Sequence, residues 1–258
     1  MQPTPASPVI EFRNVSYSVA GIQVLSGFSA QIQRGEIFVL LGRSGSGKTT
    51  TLKLVNRLLS PTAGEVRVNG APNAEGDVIQ LRRSIGYVIQ DVGLFPHFTV
   101  ERNISLVPQI MGWPEEKIRA RVHELLQLVG LTPDLASRYP HQLSGGQRQR
   151  VGVARALAAD PEILLMDEPF GALDPLTRDE LQREFLSLQQ ALHKTVVFVT
   201  HDLREALRLG THIALMEAGQ LVTVLAPQEF LHSTDPWASA YVRAFGDGPA
   251  PAASRGSS

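Results

Sequence analysis

A glycine-rich stretch carries the clearest chemical signal in this sequence. Residues 42–49 read GRSGSGKT and match the spacing G-x-x-x-x-G-K-[ST] at every fixed position. Loops of this kind hold a phosphate with backbone N–H groups, and the glycines are needed because a side chain would block the close approach of the phosphate. The stretch follows the apolar run IFVLL and precedes TTTLKLVNRLL. The sequence therefore predicts a strand, a loop and a helix in the order that a phosphate-binding loop requires.

The loop residues receive distinct predicted roles. The backbone N–H groups of residues 45–48 point at a β-phosphate, the Lys48 side chain reaches the β- and γ-phosphates, and the Thr49 hydroxyl coordinates Mg²⁺. A chance glycine turn is the alternative, and the flanking strand and helix disfavour it. The predicted nucleotide-binding residues of the loop are Gly42, Arg43, Ser44, Gly45, Ser46, Gly47, Lys48, Thr49 and Thr50.

Two carboxylates follow a second apolar run. Asp167 and Glu168 end the stretch ILLMDEP, and an open α/β sheet places its ligand groups at the carboxyl ends of strands. Asp167 is predicted to hold Mg²⁺ through water, and Glu168 to polarise an attacking water. Two acids after a strand are, on their own, more often a helix cap or a solvated turn. The phosphate loop upstream favours the catalytic interpretation.

Three single residues are ambiguous on their spacing alone. His201 ends the apolar run TVVFVTH, where it contacts a γ-phosphate or, as a lone histidine more often does, caps the next helix. Gln90 ends GYVIQ and has the same ambiguity. Tyr17 stacks on a base or, as is usual for an aromatic residue near a strand, takes part in packing.

A second glycine-rich stretch, LSGGQ at residues 143–147, has the features of another anion site. Ser144 can cap a helix through residues 148–159, and with Gly145 and Gly146 it leaves backbone N–H groups at the positive end of the helix dipole. Taken alone, the stretch is most simply a helix cap with flexible glycines.

The elements that must position these groups follow from the hydrophobic pattern. Residues 9–33 alternate apolar and polar side chains in places, as half-buried antiparallel strands do. Short apolar runs such as GYVIQ, ILLMDEP and TVVFVTH alternate with helical segments, one of which, TTTLKLVNRLL, extends to Pro61. This alternation predicts a parallel sheet with helices on both faces. Residues 99–137 have a helical pattern, which indicates a helical subdomain inserted into the core.

The predicted fold class is therefore α/β. We expect a P-loop NTPase core with a mostly parallel sheet, an N-terminal antiparallel β subdomain and an inserted helical subdomain. The predicted domain spans residues 9–245, with the helical subdomain at about 95–160. Residues 246–258, rich in Gly, Pro, Ala and Ser, are predicted to be a disordered tail.

Composition excludes several classes of protein. The 258 residues carry 24 basic and 25 acidic side chains, so the chain lacks the basic field that nucleic-acid binding usually needs. No cysteine is present, which excludes disulfides and thiolate metal sites. The first residues, MQPTPASPVIEF, lack the pattern of a signal peptide, and the longest apolar runs are far shorter than a bilayer span of ~20 residues.

Taken together, residues 9–245 resemble the ATP-binding subunit of an ABC transporter. The motifs that carry the resemblance occur in the family's order: Tyr17, GRSGSGKT, Gln90, LSGGQ, ILLMDEP, the stretch GALD with Asp174, and His201. The resemblance implies that the ligands are ATP and Mg²⁺, with Thr49, Gln90 and Asp167 around the metal.

The resemblance also explains why one chain carries two anion sites. In this family two subunits pair head to tail, and the LSGGQ stretch of one closes over the ATP held by the loop of the other. Glu168 is then the general base, His201 orients water and γ-phosphate, and Tyr17 stacks on adenine. Gln90 links Mg²⁺ to the surface that meets the membrane subunit. The implied signature and dimer-interface residues are Ser144, Gly145, Gly146, Gln147 and Asp174.

Longer stretches are similar to a narrower group, the bacterial import ATPases for glycine betaine, choline and related osmoprotectants. These are GRSGSGKTTTLKLVNRLL, IGYVIQDVGLFPHFTVERNISLVPQIMGW and GVARALAADPEILLMDEPFGALDPLTRDELQ. The implied partners are a second ATPase subunit, transmembrane permease subunits and, indirectly, an extracytoplasmic solute-binding protein, at the cytoplasmic face of the cell membrane. Many members carry C-terminal regulatory CBS domains. The chain ends soon after PWASAYVRAFGDG, so we expect no regulation through such domains.

The importer hypothesis predicts a permease-docking surface at residues 91–100, with Phe95 and Phe98 as candidate contacts. The alternative for either phenylalanine is a place in the core. A soluble ABC ATPase acting on DNA or ribosomes is a competing hypothesis, disfavoured because the chain has one cassette, no heptad run and a nearly neutral charge. A substrate kinase or a GTPase is a third, and LSGGQ argues against it.

Overall fold

The described residues of the computed structural model, 7–90 and 92–246, form two β-sheets and the helices that pack on them. Gly246, the first residue of the predicted disordered tail, is the last residue of a helix, and residues 247–258 of that tail lie outside the described residues. In chain order the strands are β1 (Ile10–Val19), β2 (Ile22–Ile32), β3 (Ile37–Gly42), β4 (Ala63–Val68), β5 (Ala71–Pro72), β6 (Ile85–Val88), β7 (Ile163–Asp167), β8 (Thr195–Thr200), β9 (His212–Glu217) and β10 (Gln220–Leu225).

The α-helices lie between and after these strands. In chain order they are α1 (Lys48–Val55), α2 (Val78–Arg83), α3 (Val100–Ile110), α4 (Glu115–Leu128), α5 (Gly145–Leu157), α6 (Pro175–Leu192), α7 (Leu203–Leu209), α8 (Pro227–Leu231) and α9 (Pro236–Gly246). No helix in the described ranges 7–90 and 92–246 is long and apolar enough to cross a membrane.

The N-terminal sheet is antiparallel, with strand order β2-β1-β4-β5. Its strands alternate buried and more exposed residues, because one face packs on the core and the other faces outward. Ile10 pairs with Ile32 on β2 and with Val68 on β4, which fixes the register of the buried face. This sheet is the antiparallel β subdomain that the sequence predicts.

The central sheet has the order β10-β9-β3-β8-β7-β6, and its strands are parallel except for β10, which pairs antiparallel with β9. All six residues of β3 are buried. Val39 and Leu41 belong to the apolar cluster beneath α3 to α7, whereas Phe38 and Leu40 belong to the cluster shared with the N-terminal sheet. The continuous apolar run of β3 follows from this position between two cores. The predicted α/β fold class is confirmed.

Helix α1 ends earlier than the sequence predicts. We expected it to continue to Pro61, but it ends at Val55 and Arg57 has a φ of 55°. The last carbonyls of the helix are taken by side chains from elsewhere: the Asn73 amide donates to Leu54 O at 2.7 Å and to Val55 O at 3.0 Å. The Arg82 guanidinium likewise donates to Arg57 O at 2.7 Å. The prediction was wrong because tertiary hydrogen bonds replaced the next turn of the helix.

The chain between β6 and β7 is mainly helical and contains α3, α4 and α5 together with two short 3-10 turns. Thr99 caps α3 by accepting from Arg102 N at 3.2 Å, and α3 packs across both α4 and α5. The subdomain boundaries at about 95 and 160 stay a prediction.

Helices α2, α8 and α9 were not assigned from the sequence. The last of them begins where Asp235 accepts from Trp237 N and Ala238 N, each at 2.9 Å.

A buried carboxylate joins α6, β8 and α7. Glu205 is only 5% exposed, and its two oxygens accept hydrogen bonds from Thr200 Oγ1 at 2.6 Å and from Gln182 Nε2 at 3.0 Å. Burial raises the pKa of Glu205, although both hydrogen bonds oppose the shift. The ionised carboxylate is therefore the costly form in the folded protein.

We predict that Glu205→Gln changes the pH dependence of stability. Because the native pKa is raised above its ordinary 4.5, the stabilisation from this group is present below that value and is lost as pH rises through the native pKa. The unfolding temperature of the variant relative to wild type should therefore increase between about pH 4 and pH 7. In a domain of this size, a change of about 1 kcal/mol in the free energy of unfolding shifts the unfolding temperature by roughly 2–4 °C. Thermal scans across this pH range, with the exposed Glu180→Gln as control, measure it. A constant difference would contradict the prediction.

Candidate functional site

The glycine-rich loop occupies the end of β3 and the start of α1, as the sequence predicts. Gly42 lies so close to β9 that an added Cβ would be 2.3 Å from Met216 O. Gly47, the N-cap of α1, has a φ of 97°, which a residue with a side chain rarely adopts. These two glycines let the loop turn sharply from a central strand into a helix whose N-terminus faces the pocket described below. Backbone N–H groups at such an N-terminus form an anion site.

The Lys48 ammonium lies under its own loop. Its Nζ donates to Gly42 O and Arg43 O, both at 2.8 Å, and the residue is 5% exposed. Burial lowers the pKa of Lys48, while the nearby charges of Glu168, Asp167 and Glu217 oppose the shift. Among the described residues Lys48 forms no salt bridge, and its hydrogen bonds go to the two carbonyls. A phosphate would supply the opposite charge that this buried ammonium lacks.

The loop and the end of β7 meet through one hydrogen bond. Thr49 Oγ1 donates to Asp167 Oδ1 at 2.9 Å, although the residues are 118 positions apart. Asp167 is 6% exposed; burial raises the pKa of its carboxyl, the Thr49 donor opposes that shift, and the Glu168 charge adds to it. A cation bound here would stabilise the ionised carboxylate.

The residues present fit Mg²⁺ that is shared with a phosphate. No cluster of three or more His, Cys, Asp or Glu side chains that could hold a metal occurs in the part of the chain that the structure describes. Thr49 and Asp167 offer two oxygens next to the anion site. Mg²⁺ ordinarily binds one or two protein oxygens and takes its remaining ligands from phosphates and water. This donor set therefore suits Mg²⁺ bound together with a nucleotide.

Glu168 and His201 form a pair at the ends of β7 and β8. Glu168 N donates to Val199 O at 3.0 Å, and its φ of 43° is a left-handed conformation that is strained for a side-chain-bearing residue. His201 Nδ1 lies 3.2 Å from Glu168 Oε2. The alternative that His201 caps the next helix is wrong, because Asp202 is the N-cap of α7 and accepts from Arg204 N at 2.8 Å.

A pocket of about 710 Å³ connects these groups. Gln90, Glu168 and His201 all line it, and they follow β6, β7 and β8 of the central sheet. Ser46 is buried and does not line the pocket, and its hydroxyl has no hydrogen-bond partner in the described structure. The predicted residues that line the pocket are Arg43, Ser44, Gly45, Gly47, Lys48, Thr49, Thr50, Gln90, Glu168 and His201.

Tyr17 is not among the residues that line this pocket. It pairs with Leu25 across β1 and β2 and packs against the core of the N-terminal sheet. Its predicted contact with a base stays a prediction.

Helix α9 supplies a wall of the pocket that sequence reasoning missed. Trp237, Ala240, Tyr241 and Ala244 line it from α9. Burial and the charge of Glu217 raise the pKa of Tyr241, while Arg43 opposes the shift. The spacing of Trp237 and Tyr241, four residues apart, indicates a shared helix face. Nothing in the sequence indicates which surface that face meets.

The predicted signature residues lie apart from the pocket. Ser144 caps α5 by accepting from Gln147 N at 3.2 Å, and Gln147 Oε1 accepts from Ser144 N at 2.9 Å. Asp174 caps α6 by accepting from Thr177 N at 3.1 Å. An added Cβ on Gly146 would be 2.8 Å from Thr177 Cγ2, so the N-termini of α5 and α6 lie side by side. None of the signature residues lines the pocket, so the helix N-termini that they begin lie outside it.

Comparison with known families finds one matching model. The model described as ABC transporter matches residues 25–171, more than half of the chain.

Curated relatives share about half of their residues with this chain. The choline transport ATP-binding protein OpuBA of Bacillus subtilis is 50% identical over 226 residues, 87% of this chain and 59% of that protein. The glycine betaine/carnitine/choline transport ATP-binding protein OpuCA of the same organism is 53% identical over 83% of this chain and 56% of its own length. The glycine betaine uptake system ATP-binding protein YehX of Escherichia coli is 52% identical over 83% of this chain and 70% of its own length. The chain thus spans 56–59% of the two Bacillus proteins.

Two solved structures have the same fold. The structure of cbiO1 from Clostridium perfringens, part of the ABC transporter complex cbiONQ, superposes with a TM-score of 0.81 and 29% identity over 92% of this chain and 96% of that one. The ATP-binding cassette MJ0796, a dimer in a post-hydrolysis state bound to ADP and Pi, has a TM-score of 0.75 and 35% identity over 84% of this chain and 98% of that one.

We predict that Trp237 reports nucleotide binding. The chain has two tryptophans, and in Trp113→Phe the only one left is Trp237, which lines the pocket and is 49% exposed. Its emission should change saturably with ATP, because a base or ribose entering the pocket alters the surroundings of the indole. The matched control is Trp237→Phe, which keeps Trp113 beneath Lys117 Nζ at 3.9 Å and should show no change. Equal responses in both variants would contradict the assignment.

Proposed function

The chain belongs to the ABC transporter family, and from this premise we propose that it is the ATP-hydrolysing subunit of a bacterial importer of an osmoprotectant such as glycine betaine, choline or carnitine. The observation that carries the ATP-hydrolysing role is the Thr49–Asp167 hydrogen bond between the phosphate loop and the end of β7, which Glu168 follows. It joins an anion site, two metal-binding oxygens and a candidate base at one edge of the sheet.

ATP binds with its triphosphate on the loop. The backbone N–H groups at the start of α1 and the Lys48 ammonium receive the β- and γ-phosphates. Thr49 and Asp167 hold Mg²⁺, with Gln90 beside them, and the ion when bound neutralises charge on the phosphate oxygens. The nucleoside extends toward the wall formed by α9, away from Glu168. The support is the lining of the pocket, which is polar at the ends of β6, β7 and β8 and aromatic at α9.

Glu168 acts as the general base. Its carboxylate accepts a proton from the attacking water, and His201 orients that water and the γ-phosphate while keeping the carboxylate in place. The support is the 3.2 Å contact between His201 Nδ1 and Glu168 Oε2 and the left-handed backbone of Glu168. Strain at a single residue beside a strand end is common where a side chain must be aimed at a reacting atom.

Two copies of the chain pair head to tail, and each completes the other's site. Ser144, Gly145, Gly146 and Gln147 of one copy close over the ATP held by its partner, and Asp174 acts across the same interface. The support is the exposure of the Ser144 and Asp174 caps, neither of which lines the chain's own pocket. The solved dimer of MJ0796 with ADP and Pi is a neighbour of this fold.

The dimer meets the permease subunits through the segment after Gln90, at the cytoplasmic face of the membrane. Phe95 is 40% exposed, and its ring centroid lies 5.2 Å from that of the half-buried Phe98. Buried Asn103 holds the segment, because its amide donates to Phe95 O and Phe98 O and its oxygen accepts from Phe95 N at 2.8 Å. An apolar side chain presented on a braced loop suits the docking of a permease helix.

The solute class rests on the relatives' names alone, since those names describe transport of choline, glycine betaine and carnitine. No residue of this chain is assigned a contact with the solute. An extracytoplasmic binding protein selects the solute, and this chain supplies the ATP hydrolysis that drives the transport cycle.

We predict that Glu168→Gln lowers ATP turnover on the order of 10²-fold or more, as expected for the loss of a general base. The amide keeps the size of the side chain and its contact with His201, so ATP-dependent dimerisation should persist. Steady-state hydrolysis and size-exclusion chromatography with ATP measure the two effects. Glu217→Gln is the matched control, because Glu217 is another carboxylate in the same pocket. Its turnover should stay within a few-fold of wild type, about 1 kcal/mol. Retained turnover in Glu168→Gln would remove the residue from this role.

We predict that a quaternary amine stimulates ATP hydrolysis by the assembled transporter. The chain is reconstituted in lipid with its permease and binding protein, and turnover is measured with and without glycine betaine or choline. Stimulation supports both coupling and substrate class. If the assembly forms and neither amine stimulates, the osmoprotectant assignment is wrong and the importer assignment is retained.

Phe95→Ala should weaken copurification with the permease while the isolated subunit still folds.

A further inference from the structure

Arg155, in the last turn of α5, is bonded to the segment that follows Gln90. Its guanidinium donates to two successive carbonyls, Val92 O at 2.6 Å and Gly93 O at 2.7 Å. Burial lowers the pKa of Arg155, and no described carboxylate forms an ion pair with it. A desolvated guanidinium is costly unless its donors are used, so these two carbonyls stabilise its position.

A second contact joins the same two elements one turn earlier on α5. An added Cβ on Gly152 would be 2.6 Å from Val92 Cγ1, so the Val92 side chain lies directly against the bare backbone of the helix. Val92 has a φ of 57°, which is unfavourable for a β-branched residue and persists only where its surroundings hold it. The Gly152 surface and the Arg155 hydrogen bonds together supply that restraint.

The restrained segment is hydrogen-bonded to the turn that contains Gln90. Val92 N donates to Ile89 O at 3.0 Å, closing a turn that contains Gln90. Gln90 in turn lines the pocket with Glu168 and His201. A shift of Val92 relative to the central sheet would therefore move Gln90 within the pocket.

The opposite end of the same helix carries Ser144. Ser144 and Arg155 are roughly 17 Å apart along α5, at ~1.5 Å per residue. We treat a helix of this length as one rigid body. Displacement of α5 at its N-terminus is thus transmitted to Val92 and Gly93 at its C-terminal turn. One helix links the anion-binding face to the segment that carries a residue of the nucleotide pocket.

We propose that Arg155 is a positioning residue for Gln90. Its two hydrogen bonds, to Val92 O and Gly93 O, couple the position of Gln90 at the Mg²⁺-nucleotide site to the position of α5. This inference rests on the proposed function for its role in hydrolysis, but the restraint itself is a property of the free chain. Arg suits this position because its two terminal nitrogens, held in one planar fork, each donate to a different carbonyl.

The first test compares Arg155→Ala with wild type by hydrogen exchange and by kinetics. The Val92 amide, bonded to Ile89 O, should exchange faster in the variant even without nucleotide. Turnover should fall and the Mg²⁺ concentration for half-maximal turnover should rise, each by roughly 3- to 30-fold, the range seen for residues that carry coupling between sites. ATP affinity in EDTA should remain unchanged, because the loop and Lys48 are untouched. Arg155→Lys should recover only part of the loss.

Arg121→Ala is the matched control. Arg121 of α4 also donates to two successive carbonyls at the end of α5, Leu157 O at 2.9 Å and Ala158 O at 3.4 Å, and its hydrogen bonds within the described residues do not include Val92 or Gly93. Its loss removes comparable hydrogen bonds from the same helix. Exchange at Val92 and the Mg²⁺ dependence should be as in wild type. Equal changes in both arginine variants would reduce Arg155 to a structural role and overturn the proposal.

A second pair of variants tests the contact without removing the guanidinium. Gly152→Ala raises the helix propensity of α5, but it places a methyl group against Val92. It should raise the Mg²⁺ requirement, and Val92→Ala in the same chain should restore it by removing Cγ1. Absence of this reversal, or unchanged exchange at Val92 in Arg155→Ala, would overturn the proposal. A wild-type chain without ATPase activity would instead refute the proposed function, and the exchange experiment would still decide the restraint.

Discussion

Parallel pairing of β3, β8 and β7 places the chemistry of this protein at one edge of the central sheet. The phosphate loop leaves β3, His201 follows β8 and Asp167 ends β7, so residues far apart in sequence emerge side by side. The Thr49–Asp167 hydrogen bond of 2.9 Å is the direct result. Because β3 is buried between two apolar clusters, the loop rests on a strand that cannot shift without disturbing both cores.

Charge burial at this edge suits the binding of an anion and a cation together. Burial lowers the pKa of the Lys48 ammonium and raises that of the Asp167 carboxyl, so each charged form is disfavoured in the chain alone. A phosphate next to Lys48 and a divalent cation next to Asp167 would relieve both costs at once. Under the proposed function, part of the affinity for a metal-bound nucleotide would arise from these groups, whose burial destabilises the folded chain when no nucleotide is bound.

The pocket and the face that carries Ser144 are connected through α5 rather than through the sheet. Ser144 begins this helix on the exposed face beside the Asp174 cap, and Arg155 near its end holds the segment after Gln90. If two chains pair head to tail, the phosphate held by one chain meets the N-terminus of a helix in the other. The far end of that helix is bonded next to the second pocket. A rigid helix can therefore relate two sites that share no residues.

The sequence by itself determined the local features: the glycine loop, its flanking strand and helix, the capping serine at Ser144, and the alternation that defines the α/β fold. Each depends on neighbours within a few residues, which is the range over which propensity, capping and periodicity act. The end of α1 at Val55, the aromatic wall from α9 and the partners of Arg155 were decided by tertiary structure alone. They depend on side chains such as Asn73 and Trp237 meeting surfaces from other parts of the chain, and a one-dimensional pattern does not record which surfaces meet.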